Sequence, residues 1–314
     1  MAHAHTNTNA NAHANAMTGT FTALVTPFRD DATQSIDWAA FDALVEAQID
    51  GGVDGIVPCG TTGESPALTH EEHAAVVKRA VSGARGRVKV VAGAGSNSTR
   101  EAVAMARDAE RAKADSVMVV VPYYNKPTQE GLVRHFVEIA GSVGCPIVIY
   151  NIPGRTGIDL APETLARICE KASNVVATKE ATGNVLRAQK LATLLGTRLT
   201  VLSGDDALTL PMIAVGARGV ISVTSNLLPK EVVYATRVAL EGKGDEARRA
   251  HLALCPVHEA MFLEANPSPV KAALAGQGAM LDVVRGPLVA ASDATKRTIA
   301  EVLRAFRAMT AVGT

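Results

Sequence analysis

From Thr20 onward, short apolar segments alternate with longer amphipathic, alanine-rich segments, and this alternation is the main indication of the fold. The apolar segments predicted as strands are residues 20–26, 55–58, 88–92, 116–122, 146–151, 174–179, 200–203 and 219–223. Their spacing suits one strand followed by one returning helix. Several are continuously apolar, which is typical of parallel strands buried on both faces.

Signals for helix starts fall between the predicted strands. Thr69-x-x-Glu72 and Ser98-x-x-Glu101 have the spacing of a capping box, and Pro162 lies where a helix should begin. After the eighth strand we expect a helix over 229–240. A further helical stretch over 245–312 carries no strand signal.

Eight β/α units predict an α/β fold, a (β/α)8 TIM barrel with a C-terminal helical extension. An open doubly wound sheet is the structural alternative, because a strand count alone does not prove closure. We expect a leader at residues 1–17, the barrel at 18–240 and the extension at 241–314. The leader is rich in Ala, Asn and His, and it lacks the apolar core of a secretory signal.

Composition and charge argue against some classes of function. Thirty-one Lys and Arg residues balance 31 Asp and Glu residues, which argues against a nucleic-acid-binding protein. No apolar run approaches the roughly 20 residues that a membrane span needs. The four scattered cysteines contain no C-x-x-C pair and favour a reducing, cytoplasmic compartment. We therefore expect a cytoplasmic enzyme with neither a nucleic-acid nor a membrane partner.

Lys179 is the main catalytic candidate among 11 lysines. It ends the sixth apolar segment, and barrel enzymes carry their chemistry at the carboxyl ends of strands. Desolvation there favours the uncharged amine, which can attack a carbonyl carbon. A structural ion pair is the alternative on position alone. Lys126, in a polar loop, is a weaker candidate, and Lys89 lies at the opposite end of its strand.

Three of the four tyrosines also fall at predicted strand ends: Tyr123 and Tyr124 after the fourth strand and Tyr150 at the fifth. A buried phenol can relay a proton during carbonyl chemistry. For a single tyrosine, an aromatic plug of the barrel mouth is the simpler interpretation. The presence of three tyrosines at these strand ends favours a functional role over simple packing.

Other rim residues suit anionic ligands. The glycine-flanked segment 60–65 can present backbone N–H groups to a carboxylate or phosphate, although a tight turn is the alternative. Arg155 can clamp a carboxylate, or form a surface ion pair.

His70 and His73 lack the further ligands of a zinc site, so no metal is predicted. Cys59 is expected to be a small buried packing residue.

Several motifs occur in order along the chain, namely Gly60-Thr-Thr-Gly-Glu-Ser65, Pro122-Tyr-Tyr-Asn125, Tyr150-Asn-x-Pro-x-Arg-Thr-Gly157, Lys179-Glu-Ala-Thr-Gly-Asn184, Ser203-Gly-Asp-Asp206, Gly219-Val-Ile-Ser-Val223 and Asn266-Pro-x-Pro-x-Lys271. Together they resemble the 4-hydroxy-tetrahydrodipicolinate synthase (dihydrodipicolinate synthase) family of the pyruvate-dependent Schiff-base aldolases. The resemblance runs from about residue 20 into the C-terminal helices.

The resemblance implies condensation of pyruvate with L-aspartate 4-semialdehyde, in diaminopimelate and lysine biosynthesis. The reaction would pass through an imine on Lys179 and need no cofactor. The implied proton relay consists of Tyr150, Thr62 and Tyr124, the last reaching in from a neighbouring subunit of a homotetramer. The implied substrate-binding residues are Thr61, Thr62, Gly204 and Ile221 for pyruvate, and Arg155 for the carboxylate of the second substrate.

Feedback inhibition by L-lysine is also implied, at a site that comprises Ser65, His70, His73, Asn97, Glu101 and Tyr123. Three other functions remain open. One is another pyruvate-dependent lyase, such as N-acetylneuraminate lyase or a 2-keto-3-deoxy sugar-acid aldolase, against which Arg155 argues. The second is a phosphate- or metal-dependent barrel enzyme without covalent catalysis. The third is a catalytically silent, ligand-sensing barrel.

Overall fold

Eight strands follow one another around a closed barrel, in the order β1 to β8, in a computed structural model that describes residues 17–312. They are β1 Gly19–Ala23, β2 Gly55–Val57, β3 Lys89–Gly93, β4 Ser116–Val120, β5 Ile147–Asn151, β6 Val175–Glu180, β7 Thr200–Ser203 and β8 Gly219–Ser222. Each lies in a predicted apolar segment or within a residue of it. The predicted barrel is therefore confirmed, and the open sheet is wrong.

Helices follow the strands. They are α1 Trp38–Asp50, α2 His70–Ala84, α3 Thr99–Arg111, α4 Gln129–Ser142, α5 Pro153–Thr156, α6 Pro162–Lys171, α7 Val185–Leu195, α8 Thr209–Ala214, α9 Pro229–Leu240, α10 Gly244–Ala260, α11 Ser268–Gly276 and α12 Asp293–Val312. Short 3-10 turns occupy Ser65–Ala67, Gly196–Arg198, Asp206–Leu208 and Thr224–Asn226. Pro162 is the first residue of α6, as predicted, because that position needs no N–H donor.

The two predicted capping boxes differ in outcome. Thr69 and Glu72 form the full reciprocal box at the start of α2. Ser98 caps α3 through its side chain, which accepts from the N–H of Glu101. The Glu101 carboxylate, however, accepts from the hydroxyl of Ser96, so it is drawn toward the chain that precedes the helix. The spacing predicted two capping boxes; both helices have the predicted cap residue, but only α2 has the complete box.

The stretch 245–312, expected to be helical and without strands, is helical over most of its length. Three helices, α10 to α12, are separated by irregular segments at 261–267 and 277–292. Pro267 supplies no N–H to continue a helix, and Gly278 adopts a positive φ of 73° just after α11. Pro267 directly precedes α11 and Gly278 follows it, so these two residues favour the observed ends of that helix.

The described residues divide into two compact units, each with its own buried apolar residues. The first unit comprises 17–19 with 90–221, and its core includes Val119, Ile149 and Val175. The second unit comprises 20–89 with 222–312, and Phe21 and Ile56 are buried in it.

Two further points concern the ends of the chain and its apolar helices. Met17, assigned to the leader by sequence, is buried, and the remaining leader residues 1–16 lie outside the described part of the chain. Over the described part, every helix is too short or too polar to span a lipid bilayer.

Candidate active site

Lys179 and Tyr150 are directly paired across the β5–β6 ladder. The Nζ atom of Lys179 lies 4.3 Å from the centre of the Tyr150 ring. Lys179 is only 5% exposed, although it is the penultimate residue of β6. The structure therefore brings together the two residues that sequence singled out for chemistry. Lys89 and Lys126 are exposed, the first at the start of β3 and the second in the loop after β4.

An irregularity in the β5–β6 pairing creates this arrangement. Ile147 pairs with Val175, whereas the next residue, Val148, pairs with Ala177. Val176 is thus one extra residue in β6, as in a β-bulge. Because side chains alternate between faces of a strand, the extra residue changes which side chains of β6 face Tyr150. If Val176 were paired with Val148 in a regular ladder, Tyr150 would be opposite Thr178.

Gly204 closes one side of the Lys179 side chain. Its N–H donates to the carbonyl of Glu180 at 2.8 Å. A Cβ at this position would lie 2.6 Å from the Cβ of Ala181 and 3.2 Å from the Cε of Lys179. Only a glycine allows the backbone to approach the lysine this closely. Ile221, also implied as a pyruvate-site residue, is buried on β8.

Arg155 lies on α5, a short helical turn directly after β5, rather than in an irregular loop. Its side chain is exposed, and none of the ion pairs made within residues 17–312 includes it. The Tyr124 N–H donates to the carbonyl of neighbouring Thr156 at 3.4 Å. Tyr124 has a positive φ of 71° and is 87% exposed, so its phenol is directed away from this chain.

The glycine-flanked segment 60–65 is built into the second unit. The Asn266 amide donates to the hydroxyl of Thr62 at 2.9 Å, and Thr62 is buried. The Thr26 hydroxyl donates to the carbonyl of Gly63 at 2.7 Å. Gly63 makes a tight turn in which an added Cβ would lie 3.0 Å from a backbone oxygen. The segment is therefore a fixed turn whose only buried threonine hydroxyl already has a donor.

A buried ion pair anchors the same segment. The ammonium of Lys271 donates to the Glu64 carboxylate at 2.5 Å, and the backbone N–H of Arg285 donates to its other oxygen at 2.9 Å. Both Lys271 and Glu64 are fully buried. Burial lowers the pKa of Lys271 to about 8, although the Glu64 carboxylate opposes that change. Glu64 and Lys271 belong to two separate sequence motifs, and neither motif indicated that the two residues are paired.

The residues of the implied lysine site occupy loop and helix starts. Ser65 begins a 3-10 turn, His70 is the exposed first residue of α2, and His73 is buried one turn later. The carbonyl of Asn97 accepts from the Asn125 amide. Glu101 lies in the first turn of α3, and Tyr123 precedes Tyr124 in the loop after β4.

Cys59 matches its expected packing role. It is buried, and its Sγ lies 3.7 Å from the carbonyl oxygen of His73. Burial raises the pKa of its thiol far above the ordinary value, so the reactive thiolate is suppressed.

Sequence analysis missed a charged cluster immediately outside the Lys179–Tyr150 pair. It comprises Asn151, Asp159, Glu180 and Arg187. The available signal was Glu180, a charged residue that directly follows Lys179 at the end of an apolar segment. A charge in such a position is buried only with a partner, and its partner is seven residues further along the chain.

Comparison with known proteins gives one consistent result. Residues 16–306 match the Dihydrodipicolinate synthetase family. The chain is 57% identical over 292 residues to a 4-hydroxy-tetrahydrodipicolinate synthase from Sorangium cellulosum, which covers 93% of this chain and 97% of that protein.

Solved structures agree. The 4-hydroxy-tetrahydrodipicolinate synthase of Methylacidiphilum fumariolicum is 45% identical, with a TM-score of 0.92 and coverage of 94% of this chain and 97% of that one. A lysine-bound dihydrodipicolinate synthase from Cyanidioschyzon merolae is 36% identical, with a TM-score of 0.90 and coverage of 93% and 98%.

Proposed function

Because this chain belongs to the dihydrodipicolinate synthetase family, we propose that it is a lyase that condenses pyruvate with L-aspartate 4-semialdehyde. The product is 4-hydroxy-tetrahydrodipicolinate, on the route to diaminopimelate and lysine. One water molecule is released overall. The protein supplies its own electron sink, a lysine imine, in place of a cofactor.

The chemistry begins with attack of the Lys179 amine on the keto carbon of pyruvate. The keto oxygen leaves as water and a protonated imine remains. The imine withdraws electrons from the adjacent methyl group, which loses a proton to give an enamine. The enamine carbon then bonds to the aldehyde carbon, and the aldehyde oxygen takes up a proton. Finally, the substrate amine attacks the imine carbon, closes the ring and expels the lysine amine.

The observation that carries this proposal is the buried Lys179 amine beside the Tyr150 ring. Imine formation and ring closure both require proton transfers to and from the nitrogen and oxygen atoms bonded to the keto carbon, and the hydroxyl of a ring that contacts the amine is suited to relay them. In the proposal, Thr62 and Tyr124 complete the relay. Thr61, Thr62, Gly204 and Ile221 bind pyruvate, and Arg155 binds the carboxylate of the aldehyde substrate.

Borohydride trapping tests the nucleophile and the first substrate together. The protein is incubated with pyruvate, reduced with sodium borohydride, digested and analysed by mass spectrometry. We expect one reduced pyruvyl group, on the peptide that contains Lys179. The Lys179→Ala variant should remain folded by circular dichroism and take up no label. Label on another lysine, or none on the wild-type protein, would exclude this mechanism.

The aldehyde is tested separately. Initial rates are measured with pyruvate and either L-aspartate 4-semialdehyde or a sugar aldehyde such as N-acetylmannosamine. We expect turnover with the semialdehyde. A preference for the sugar aldehyde would assign the chain to the other pyruvate-dependent lyases.

We also propose that L-lysine inhibits the enzyme through Ser65, His70, His73, Asn97, Glu101 and Tyr123. The lysine-bound relative supports an amino-acid effector in this family. The carboxylate of Glu101 is suited to the effector's ammonium groups. Activity measured over 0 to roughly 10 mM L-lysine should fall for the wild-type protein, and Glu101→Gln should weaken the inhibition. A wild-type rate that ignores millimolar lysine contradicts this proposal.

The exposed Tyr124 phenol supports an oligomer in which one subunit completes the site of another, and we propose a homotetramer built as a dimer of dimers. Sedimentation velocity in the micromolar range should show a single four-subunit species. We place the enzyme in the cytoplasm, where the four free thiols would stay reduced.

A further inference from the structure

Strand alternation puts the two reactive residues and their immediate successors on opposite faces. Tyr150 pairs with Lys179, and the next pair in the ladder is Asn151 with Glu180. Successive side chains of a strand point to opposite faces, so this second pair faces the helices. Glu180 is only 2% exposed there. A buried carboxylate needs a partner, and its partner is Arg187 on α7.

Arg187 joins two separate parts of the chain. Its Nε donates to the Glu180 carboxylate at 2.9 Å, at the end of β6. Its Nη1 donates to Asp159 at 2.9 Å, and its Nη2 donates to the carbonyl of Leu160. The planar guanidinium therefore fastens the segment after β5 to the end of β6. A lysine, with a single ammonium, could not make all three contacts.

The electrostatics of its own helix disfavour an arginine at position 187. It lies in the first turn of α7 (Val185–Leu195). The N-terminal end of a helix carries partial positive charge, so a cation there is electrostatically unfavourable. The ion pairs with Glu180 and Asp159 offset that repulsion.

The fastened segment, residues 152–160, carries Arg155. The side chain of Asn151 joins the two ends of this segment, because its amide NH2 donates to Asp159 at 2.9 Å and its Oδ1 accepts from the Leu160 N–H at 3.1 Å. Within the segment, the Thr156 hydroxyl donates to the carbonyl of Ile152 at 3.0 Å. Arg155 itself is exposed at the top of this closed segment, so its placement depends on how the two ends are joined.

We propose that Arg187 is a positioning residue, which fixes segment 152–160 and thereby places the Arg155 guanidinium for the carboxylate of the aldehyde substrate. This inference rests on the proposed function. A bidentate guanidinium contact depends on geometry, and a displacement of about 1 Å can cost up to about a hundredfold in rate. Lys179 is held independently by the β5–β6 and β6–β7 ladders. Loosening the segment should therefore affect the second substrate more than the first.

Two variants test the inference. Arg187→Lys retains a positive charge beside Glu180 but removes the branched guanidinium, whose Nη atoms donate to Asp159 and Leu160. Asp159→Ala removes only the outer part of the network, and since the Asp159 side chain is 50% exposed, this variant should fold even if the first does not. Lys190→Met is the matched control. It lies on the same helix and removes an exposed ion pair with Glu163.

For each protein we would measure pyruvate trapping on Lys179, the KM for each substrate, kcat and the melting temperature. In both variants we expect the KM for L-aspartate 4-semialdehyde to rise by about tenfold or more, with trapping by pyruvate within about twofold of wild type. Lys190→Met should match the wild-type protein throughout. A lower melting temperature alone, with an unchanged KM for the aldehyde, would overturn the inference. Equal losses in trapping and in aldehyde binding would overturn it too.

A double-variant cycle tests the route through Arg155. If Asp159 acts by placing Arg155, adding Asp159→Ala to Arg155→Ala should raise the KM for the aldehyde no further. Additive effects would show that the network acts on something else. A different result would contradict the proposed function, namely the absence of a pyruvyl label on Lys179 of the wild-type protein. Failure of the inference and failure of the proposed function are therefore distinguishable.

Discussion

The amine of Lys179 lies 4.3 Å from the centre of the Tyr150 ring, and the two residues are opposite each other in adjacent parallel strands. Both side chains are thus placed by a backbone ladder, which restrains them more than a surface loop would.

Removing the Tyr150 hydroxyl should slow proton transfer without removing the nucleophile. For Tyr150→Phe we expect kcat to fall by roughly 10²- to 10⁴-fold, which is the usual contribution of a positioned general acid or base. Rapid-quench borohydride trapping should show that the pyruvate imine still forms, more slowly. Tyr234→Phe is the control, since Tyr234 is exposed on α9 and contacts Glu246. An unchanged kcat for Tyr150→Phe would exclude the phenol as a relay.

Adding one methyl group at Gly204 should disturb the lysine directly. The new Cβ would lie within 3.2 Å of the Lys179 Cε and 2.6 Å of the Ala181 Cβ. We expect Gly204→Ala to lose about 1–3 kcal/mol of stability and most of its pyruvate labelling. Gly141→Ala, in α4, meets no atom within 4 Å and should instead gain roughly 0.5–1 kcal/mol. Chemical denaturation measures both, and full labelling of Gly204→Ala would contradict the close approach.

The buried pair beneath segment 60–65 should be costly to break from one side. Lys271→Met leaves the Glu64 carboxylate buried without its cation, and we expect a loss of about 3–5 kcal/mol in urea denaturation. Adding Glu64→Gln should recover part of that loss. Lys296→Met, which removes a partly exposed pair with Asp282, should cost about 1 kcal/mol at most. Equal losses in the two single lysine variants would argue against a strongly coupled buried pair.

His135 should make the fold sensitive to acid. Burial lowers its pKa from 6.5 to about 4, because the charged imidazolium loses its hydration. Its Nδ1 lies 2.9 Å from the Thr99 hydroxyl oxygen, and Nε2 has no hydrogen-bond partner within residues 17–312. The unfolded chain binds a proton near pH 6.5 and the folded chain only near pH 4. This contribution to stability is therefore complete above pH 6.5 and is lost as the pH falls toward 4.

The linked change amounts to about 3 kcal/mol between those two pH values. Melting temperatures measured from pH 7 to pH 4 should fall less steeply for His135→Gln than for the wild-type protein. His70→Gln, which changes an exposed imidazole on α2, should follow the wild-type slope. Identical slopes for all three proteins would remove His135 from the acid response.

The barrel was predictable because its strands are continuously apolar and evenly spaced, and a slightly misplaced boundary does not change the topology. The position of Lys179 was predictable for a related reason, since a single lysine at the end of an apolar segment stands out from its neighbours. The partners of buried charges were not predictable. Lys271 and Glu64 are 207 residues apart, and no local periodicity records such a contact. The boundaries between α10, α11 and α12 were not predicted, because helical periodicity continues on both sides of segments 261–267 and 277–292.

Val176, the extra residue of β6, decides which residue of β6 lies opposite Tyr150. If the ladder instead continued one residue for one from the pair of Ile147 and Val175, Asn151 would be paired with Lys179 and Tyr150 with Thr178. The amine would then lie on the same face as Asn151, and Glu180 would be out of register with Asn151. A point substitution in these two strands leaves the register unchanged, whereas one residue gained or lost between the bulge and Lys179 would shift it by one place. Descendants of this enzyme can therefore vary in loop length far more freely than in the length of β5 or β6.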